Sequence, residues 1–141
     1  MTIAHTGIKV PAAQYPAVVA WYEAALAPLG YKKSIVLRDG NVVGFSDNAA
    51  GIADWWVASS AAAPEPVSPP EGAFVPNHTC FLAKDRLDRA TVDAFHKAGV
   101  AAGGKSNGEP GIRAQYSPNY YAAFVLDPAG NNIEVLSIAA E

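Results

Sequence analysis

Cysteine is almost missing from this chain: Cys80 is the only one in 141 residues. No intrachain disulfide can form, which suits a reducing compartment. Charge is scarce as well. Charged residues make up 16% of the sequence and leave a formal net charge of −3. Lys and Arg form no cluster, so the electrostatic footprint of a nucleic-acid binder is missing. No apolar run approaches the roughly 18 residues that a membrane span needs. The opening MTIAHTGIKV lacks the basic stretch and long apolar run of a secretory signal. The expectation is a soluble, cytoplasmic protein with no nucleic-acid and no membrane partner. Gly103-Gly104 and Gly108 match neither a GxxxxGK phosphate loop nor a GxGxxG dinucleotide turn. What the sequence does have is apolar content. Half of it is hydrophobic, enough for one core in a single domain over 1–141.

The pattern alternates between strands and helices. Residues 3–10 read as a strand, with Thr6, Ile8 and Val10 on one face and His5, Gly7 and Lys9 on the other. Residues 16–27 read as a helix with Val18, Val19, Tyr22 and Leu26 on its apolar side. Pro16 suits the first turn of that helix, and Pro28 and Gly30 end it. Strands are predicted over 31–37, 41–46 and 53–58, with Asp39-Gly40 turning the first into the second. Residues 59–76 hold five prolines and are predicted to be an irregular connection, with no helix through Pro64–Pro70. A strand over 77–84 and a helix over 86–98 follow. His96 is placed on the solvent side of that helix. Residues 99–111 read as a loop with room for a short strand. Strands over 119–126 and 132–138 are joined by the turn DPAGN.

The two halves repeat. A shift of 73 residues places His5 on His78, Ile8 on Phe81, Tyr22 on Phe95, Gly30 on Gly103 and Lys32 on Lys105. Later the register slips, since Asp47 matches Asp127 at a shift of 80 and Gly51 matches Gly130 at 79. The repeat divides the chain into module one, about 1–58, the Pro-rich connection 59–76, and module two, about 77–138.

The stretch from NHTCFLA through DPAGNNIEVLS resembles the vicinal oxygen chelate family, the glyoxalase, bleomycin-resistance and extradiol-dioxygenase group. HTGIKV followed by VAWYEAALAPLGY is similar to the opening strand and helix of that family. The resemblance implies an α+β fold of two βαβββ modules forming a curled mixed sheet around a central cup. It also implies metal ligands on the first and last strands of each module. His5 and His78 match the first-strand ligands, and Glu134 matches the last-strand carboxylate of module two. In module one a shift of 80 puts Asp54 at that position, whereas the flanking pattern puts Trp56 there. The ordinary glyoxalase uses four protein ligands, so this position bears on the activity.

Two imidazoles and a carboxylate suit a divalent iron, manganese, zinc or nickel ion with open positions for substrate oxygens. The segment GIRAQYSPNYY supplies Arg113, Tyr116, Tyr120 and Tyr121, groups suited to stabilising an oxyanion or enolate. The expected catalytic residues are Glu134, Tyr116, Tyr121 and Arg113. The expected substrate contacts are Trp56, Tyr120 and Arg38, with Tyr31 and Trp55 as further aromatic walls. Arg38 also reads simply as a solvated turn residue. Cys80 shares a strand face with His78, but nothing near it in sequence would activate a thiol. Three functions stand open. One is a metal-assisted lyase, isomerase or dioxygenase on a small oxygen-rich substrate. Another is a metal-free acid–base isomerase using Glu134 with Arg38, Arg113 or Tyr116. The third is a non-catalytic binding or resistance protein. The expected assembly is a homodimer, with each cup taking His5 from one module and His78 and Glu134 from the other.

Overall fold

The computed structural model describes residues 4–62, 76–83 and 88–138. Its first half runs β1 (Thr6–Val10), α1 (Tyr15–Ala25), β2 (Lys32–Leu37), β3 (Val42–Ser46) and β4 (Trp55–Ser59). The second half repeats the order: β5 (His78–Leu82), α2 (Arg89–Ala101), β6 (Lys105–Ile112), β7 (Tyr120–Leu126) and β8 (Asn132–Ile138). Each half forms a four-stranded mixed sheet, in the orders β1-β4-β3-β2 and β5-β8-β7-β6. The first and last strands of each module pair in parallel, and the other pairs are antiparallel. Both modules are therefore βαβββ units, the α+β architecture that the resemblance implies. The expectation for Pro64–Pro70 lies outside the described residues.

Local chemistry sets the element ends. Pro16 occupies the first turn of α1, and Gly30 closes the turn after it at φ 86, in the left-handed region. Asp88 caps α2, its side chain accepting from the Thr91 backbone N–H at 3.2 Å. The helix therefore starts at Arg89, later than the 86 read from the apolar pattern.

The stretch 99–111 departs from the expected loop. α2 continues to Ala101, and β6 then pairs with β7 as a full strand. Gly108, Pro110 and Gly111 hid that strand. It lies at the edge of its sheet, where a proline without an N–H is tolerated, and two register shifts absorb the glycines.

One apolar core runs through both modules. Ile8, Val10, Phe45, Trp55 and Val57 of the first sheet join Phe81, Val125, Ile133 and Val135 of the second in a single cluster with both helices. The contact is specific. Trp21 of α1 donates its indole N–H to the Gly99 carbonyl of α2 at 2.8 Å. A Cβ on Gly104 would sit 2.5 Å from that indole nitrogen, so this position admits only glycine. Trp55 meets Phe81 edge-on across the modules, with centroids 5.2 Å apart.

Candidate active site

Strand register builds the site. β5 runs beside β8 with His78 next to Asn132 and Cys80 next to Glu134. On its other side β8 places Glu134 opposite Phe124 of β7. Ile133 and Val135 are fully buried in the core. Alternation along β8 therefore turns Glu134 to the opposite face, together with His78, Cys80, Tyr120 and Phe124.

Glu134 is 3% exposed. A carboxylate that deep needs partners, and it has them. The Tyr120 hydroxyl donates to Oε1 at 2.7 Å, and His78 Nε2 lies 3.1 Å from Oε2. Cys80 lies beside Glu134 in the β5–β8 register, and its thiol donates to the Phe81 carbonyl oxygen at 3.8 Å. Crowding by the sheet, then the Glu134 charge, pushes the thiol up to about 12, although the residue as a whole is exposed. Burial and then the bond to Glu134 push the Tyr120 hydroxyl up as well. Both groups stay protonated near neutrality and act as donors.

His78 carries the switch in this cluster. Its Nδ1 lies 3.1 Å from the Asn132 carbonyl oxygen and 3.1 Å from Asn132 Nδ2. The carbonyl only accepts and the amide nitrogen only donates, so Asn132 selects the tautomer. Asn107 Nδ2 donates to Asn132 Oδ1 at 3.2 Å, which leaves the Asn132 amide nitrogen for His78. In that arrangement the ring proton is on Nε2 and points at Glu134. In the other, a bare Nε2 faces a carboxylate, and the gap calls for a proton or a cation. The imidazole–carboxylate pair is built to pass one proton or to share one cation.

A second layer surrounds the pair. The Phe124 ring stacks on His78 at 6.4 Å and 27°, and the Arg113 guanidinium lies over Phe124 at 5.5 Å. Arg113 Nη2 donates to the Glu109 carbonyl at 2.6 Å, so Arg113 reaches the site through Phe124. Tyr116 is 66% exposed at the rim, its ring 5.1 Å from that of Tyr120.

Several expected site residues lie elsewhere. Tyr121 follows Tyr120 and so points to the helix side, where its hydroxyl donates to Asp93 at 2.7 Å and Arg89 covers its ring. It lies on the face opposite Glu134. Arg38 sits in the β2–β3 turn at φ 52 and donates to the Ala62 carbonyl, as a turn residue of module one. His96 does not face solvent. It is 9% exposed and bonds Ser106 Oγ at 2.8 Å, tying α2 to β6.

Module one repeats the frame without the acid. Gly7 is the counterpart of Cys80, each two residues past its first-strand histidine, and Gly7 pairs with Trp56 as Cys80 pairs with Glu134. Trp56 therefore occupies the Glu134 position. A Cβ on Gly44 would come within 3.0 Å of the Trp56 ring, so glycine there makes room for the indole. Asp54 instead accepts from the Tyr31 hydroxyl at 3.2 Å. His5 precedes β1 and lines a different cavity, with Asp54 and Cys80. Among the described residues no three His, Cys, Asp or Glu side chains group to hold a metal ion. The expected convergence of His5, His78 and Glu134 is thus not made within one chain, because β1 and β5 belong to different sheets.

The architecture is the paired-module fold of the vicinal oxygen chelate proteins. Solved structures agree with it. A glyoxalase/bleomycin resistance protein from Albidiferax ferrireducens superposes with a TM-score of 0.62 at 23% identity, covering 93% of this chain and 95% of its own. A lactoylglutathione lyase from Agrobacterium tumefaciens gives 0.59 at 23%, over 96% and 93%. A glyoxalase/bleomycin resistance protein/dioxygenase family enzyme from Burkholderia phytofirmans gives 0.62 at 16%, over 99% and 100%. No family model matches the sequence, and no curated protein matches it. Among the described residues no helix is long and apolar enough to cross a membrane.

Asn132, Asn107 and Phe124 were not singled out from the sequence. Strand parity on β7 and β8 is the signal that could have found Phe124 and Asn132. Asn107 lies on β6, which its Gly and Pro content concealed.

Proposed function

We propose that this chain is a small-molecule enzyme in which Glu134 moves a proton on an oxygen-rich substrate. The observation that carries the reading is a carboxylate 3% exposed, held at 2.7 Å by the Tyr120 hydroxyl and at 3.1 Å by His78. Glu134 takes a proton from the carbon beside a carbonyl, and the C–H electron pair moves onto the carbonyl oxygen as an enolate. Tyr120 fixes the carboxylate, and His78 delivers or removes the proton on solvent's side. Arg113 supplies positive potential from behind Phe124, and Tyr116 screens the mouth. A positioned base of this kind contributes roughly 100- to 10,000-fold. The test uses hydroxyacetone in deuterated water, with proton NMR following exchange at its C–H. The expected result is catalysed exchange that falls at least about 100-fold in Glu134→Gln. Equal exchange in wild type and Glu134→Gln would overturn the reading and favour a non-catalytic binding protein.

The His78–Glu134 spacing favours a second reading. Two donors each about 2.1 Å from one ion at right angles lie about 3 Å apart, close to the 3.1 Å between Nε2 and Oε2. The pair fits half of a site for a divalent iron, manganese, zinc or nickel ion. A further imidazole would come from His5 of a second copy in a homodimer. The ion would supply Lewis acidity toward substrate oxygens.

A further inference from the structure

Resting on the reading of His78 as the proton carrier for Glu134, we propose that His96 is a positioning residue that fixes which nitrogen of His78 holds the ring proton. His96 belongs to α2 and touches neither His78 nor Glu134. It acts on them through the edge strand β6.

The first link ties α2 to β6. His96 is 9% exposed, and its Nε2 lies 2.8 Å from Ser106 Oγ. Ser106 Oγ donates to Glu109 Oε1 at 2.9 Å. A hydroxyl has a single proton to give. With that proton directed at Glu109, Oγ accepts from His96, so Nε2 of His96 carries the hydrogen. Glu109 Oε1 also lies 3.6 Å from the same Nε2. One buried imidazole thus holds two residues of β6.

The geometry of β6 makes that hold matter. The strand lies at the edge of its sheet and has β7 as its sole neighbour there. Ser106 stands opposite Val125, which is fully buried, and so belongs to the α2 side of the sheet. The register then shifts, and Gly108 stands opposite Phe124 on the site side. Asn107 is the extra residue between them, without a counterpart on β7. A bulge of this kind re-aims a side chain. Ladder pairing does not fix where Asn107 points, so its two flanks do. Ser106 is held by His96 on one flank. Gly108 is pressed against Phe124 on the other, where a Cβ would come 2.8 Å from the ring.

Asn107 passes the constraint to the site. Its Nδ2 donates to Asn132 Oδ1 at 3.2 Å, and Asn132 Nδ2 lies 3.1 Å from His78 Nδ1. With Oδ1 engaged, Asn132 presents its amide nitrogen, Nδ1 accepts, and the ring proton sits on Nε2, 3.1 Å from Glu134 Oε2. The Asn132 carbonyl oxygen is also 3.1 Å from Nδ1. Once Asn107 releases the side-chain amide, that carbonyl takes a proton on Nδ1 instead, and Nε2 is left bare toward Glu134.

The test is nitrogen-15 NMR of the imidazoles in the whole chain, with His78 assigned through bonds. It is recorded at a fixed pH of about 9, above the ordinary histidine range, where the protonated and the bare nitrogen of a neutral ring are well separated. The expected wild-type form has the proton on Nε2. Ser106→Ala removes one hydroxyl from an edge strand and raises the share of the Nδ1–H form at least about threefold, the weight of a weak hydrogen bond. His96→Leu does the same. His96→Gln keeps an N–H donor for Ser106 and restores the wild-type signals. In a chain that already carries Asn107→Ala, Ser106→Ala adds nothing further. The Trp21 indole signal, set by its bond to Gly99 of α2, certifies that each variant is folded. A bare Nε2 in the wild type, unchanged His78 signals in Ser106→Ala and His96→Leu, or a full effect of Ser106→Ala on top of Asn107→Ala would overturn the proposal. The signals are read without substrate. Hydroxyacetone exchange that is equal in wild type and Glu134→Gln would therefore overturn the proton-transfer reading while leaving the tautomer of His78 as measured.

Discussion

At the scale of single residues, the site is a set of paired decisions about which neighbour faces which side. Tyr120 and Tyr121 are adjacent and chemically identical. Only the first reaches Glu134, because β7 alternates and Phe124, on the parity of Tyr120, lies opposite Glu134. Cys80 gives this arrangement a measurable signature. With the thiol pushed up to about 12, about one in ten thousand molecules is thiolate at pH 8, against about one in four for an ordinary thiol. Cys80 is therefore expected to alkylate slowly with iodoacetamide at pH 8 despite its exposure. Glu134→Gln removes the second cause of the shift, the carboxylate charge. The thiol then titrates at lower pH, and alkylation speeds up by about tenfold or more at the same pH. Mass spectrometry of the alkylated chain reads this directly, and an unchanged rate in the variant would show that Glu134 does not act on Cys80.

Among the elements, the β7–β8 turn does more than reverse the chain. DPAGN forms the turn, and its aspartate has a larger task. Asp127 is buried and accepts from the backbone N–H groups of Ala129 and Asn131, from Asn131 Nδ2 and from the Tyr22 hydroxyl of α1. Its carboxylate pins the hairpin that carries Glu134 to the helix of the other module. Asp127→Ala leaves four donors short of an acceptor. The expected loss of stability is about 3 kcal/mol, read by urea unfolding. A loss below about 1 kcal/mol would show that water replaces the carboxylate freely. Tyr22→Phe removes a single donor and is expected to cost less.

The whole molecule raises the question of assembly. The described chain joins its modules through one core, yet it leaves the His78–Glu134 pair without a third ligand. On the metal reading, a second copy completes the site with His5. Static light scattering at micromolar concentration is expected to give about twice the 14.7 kDa chain mass. Elemental analysis is expected to find one divalent metal per chain, lost in both His78→Ala and His5→Ala. A monomer that nonetheless retains metal after His5→Ala would remove His5 from the ligand set. A metal-free protein that still exchanges the hydroxyacetone proton would leave acid–base chemistry alone at Glu134.

The sequence by itself determined the two-module frame. Apolar alternation and the 73-residue repeat placed His78 on the first strand of module two, and the family resemblance placed Glu134 on its last strand. The parity of Ile133 and Val135 was enough to turn Glu134 away from the core. Tertiary structure decided what depends on pairing between distant segments. Whether Asp54 or Trp56 stands in for Glu134 rested on the register of β1 against β4, which no local pattern contains. The edge strand β6 was hidden because its glycines and proline are unfavourable locally and are tolerated through pairing with β7. His96 turned inward because Ser106 lies across from it to take its hydrogen bond. Periodicity reports which face of an element is apolar, whereas the partner across that face is fixed only when the elements dock.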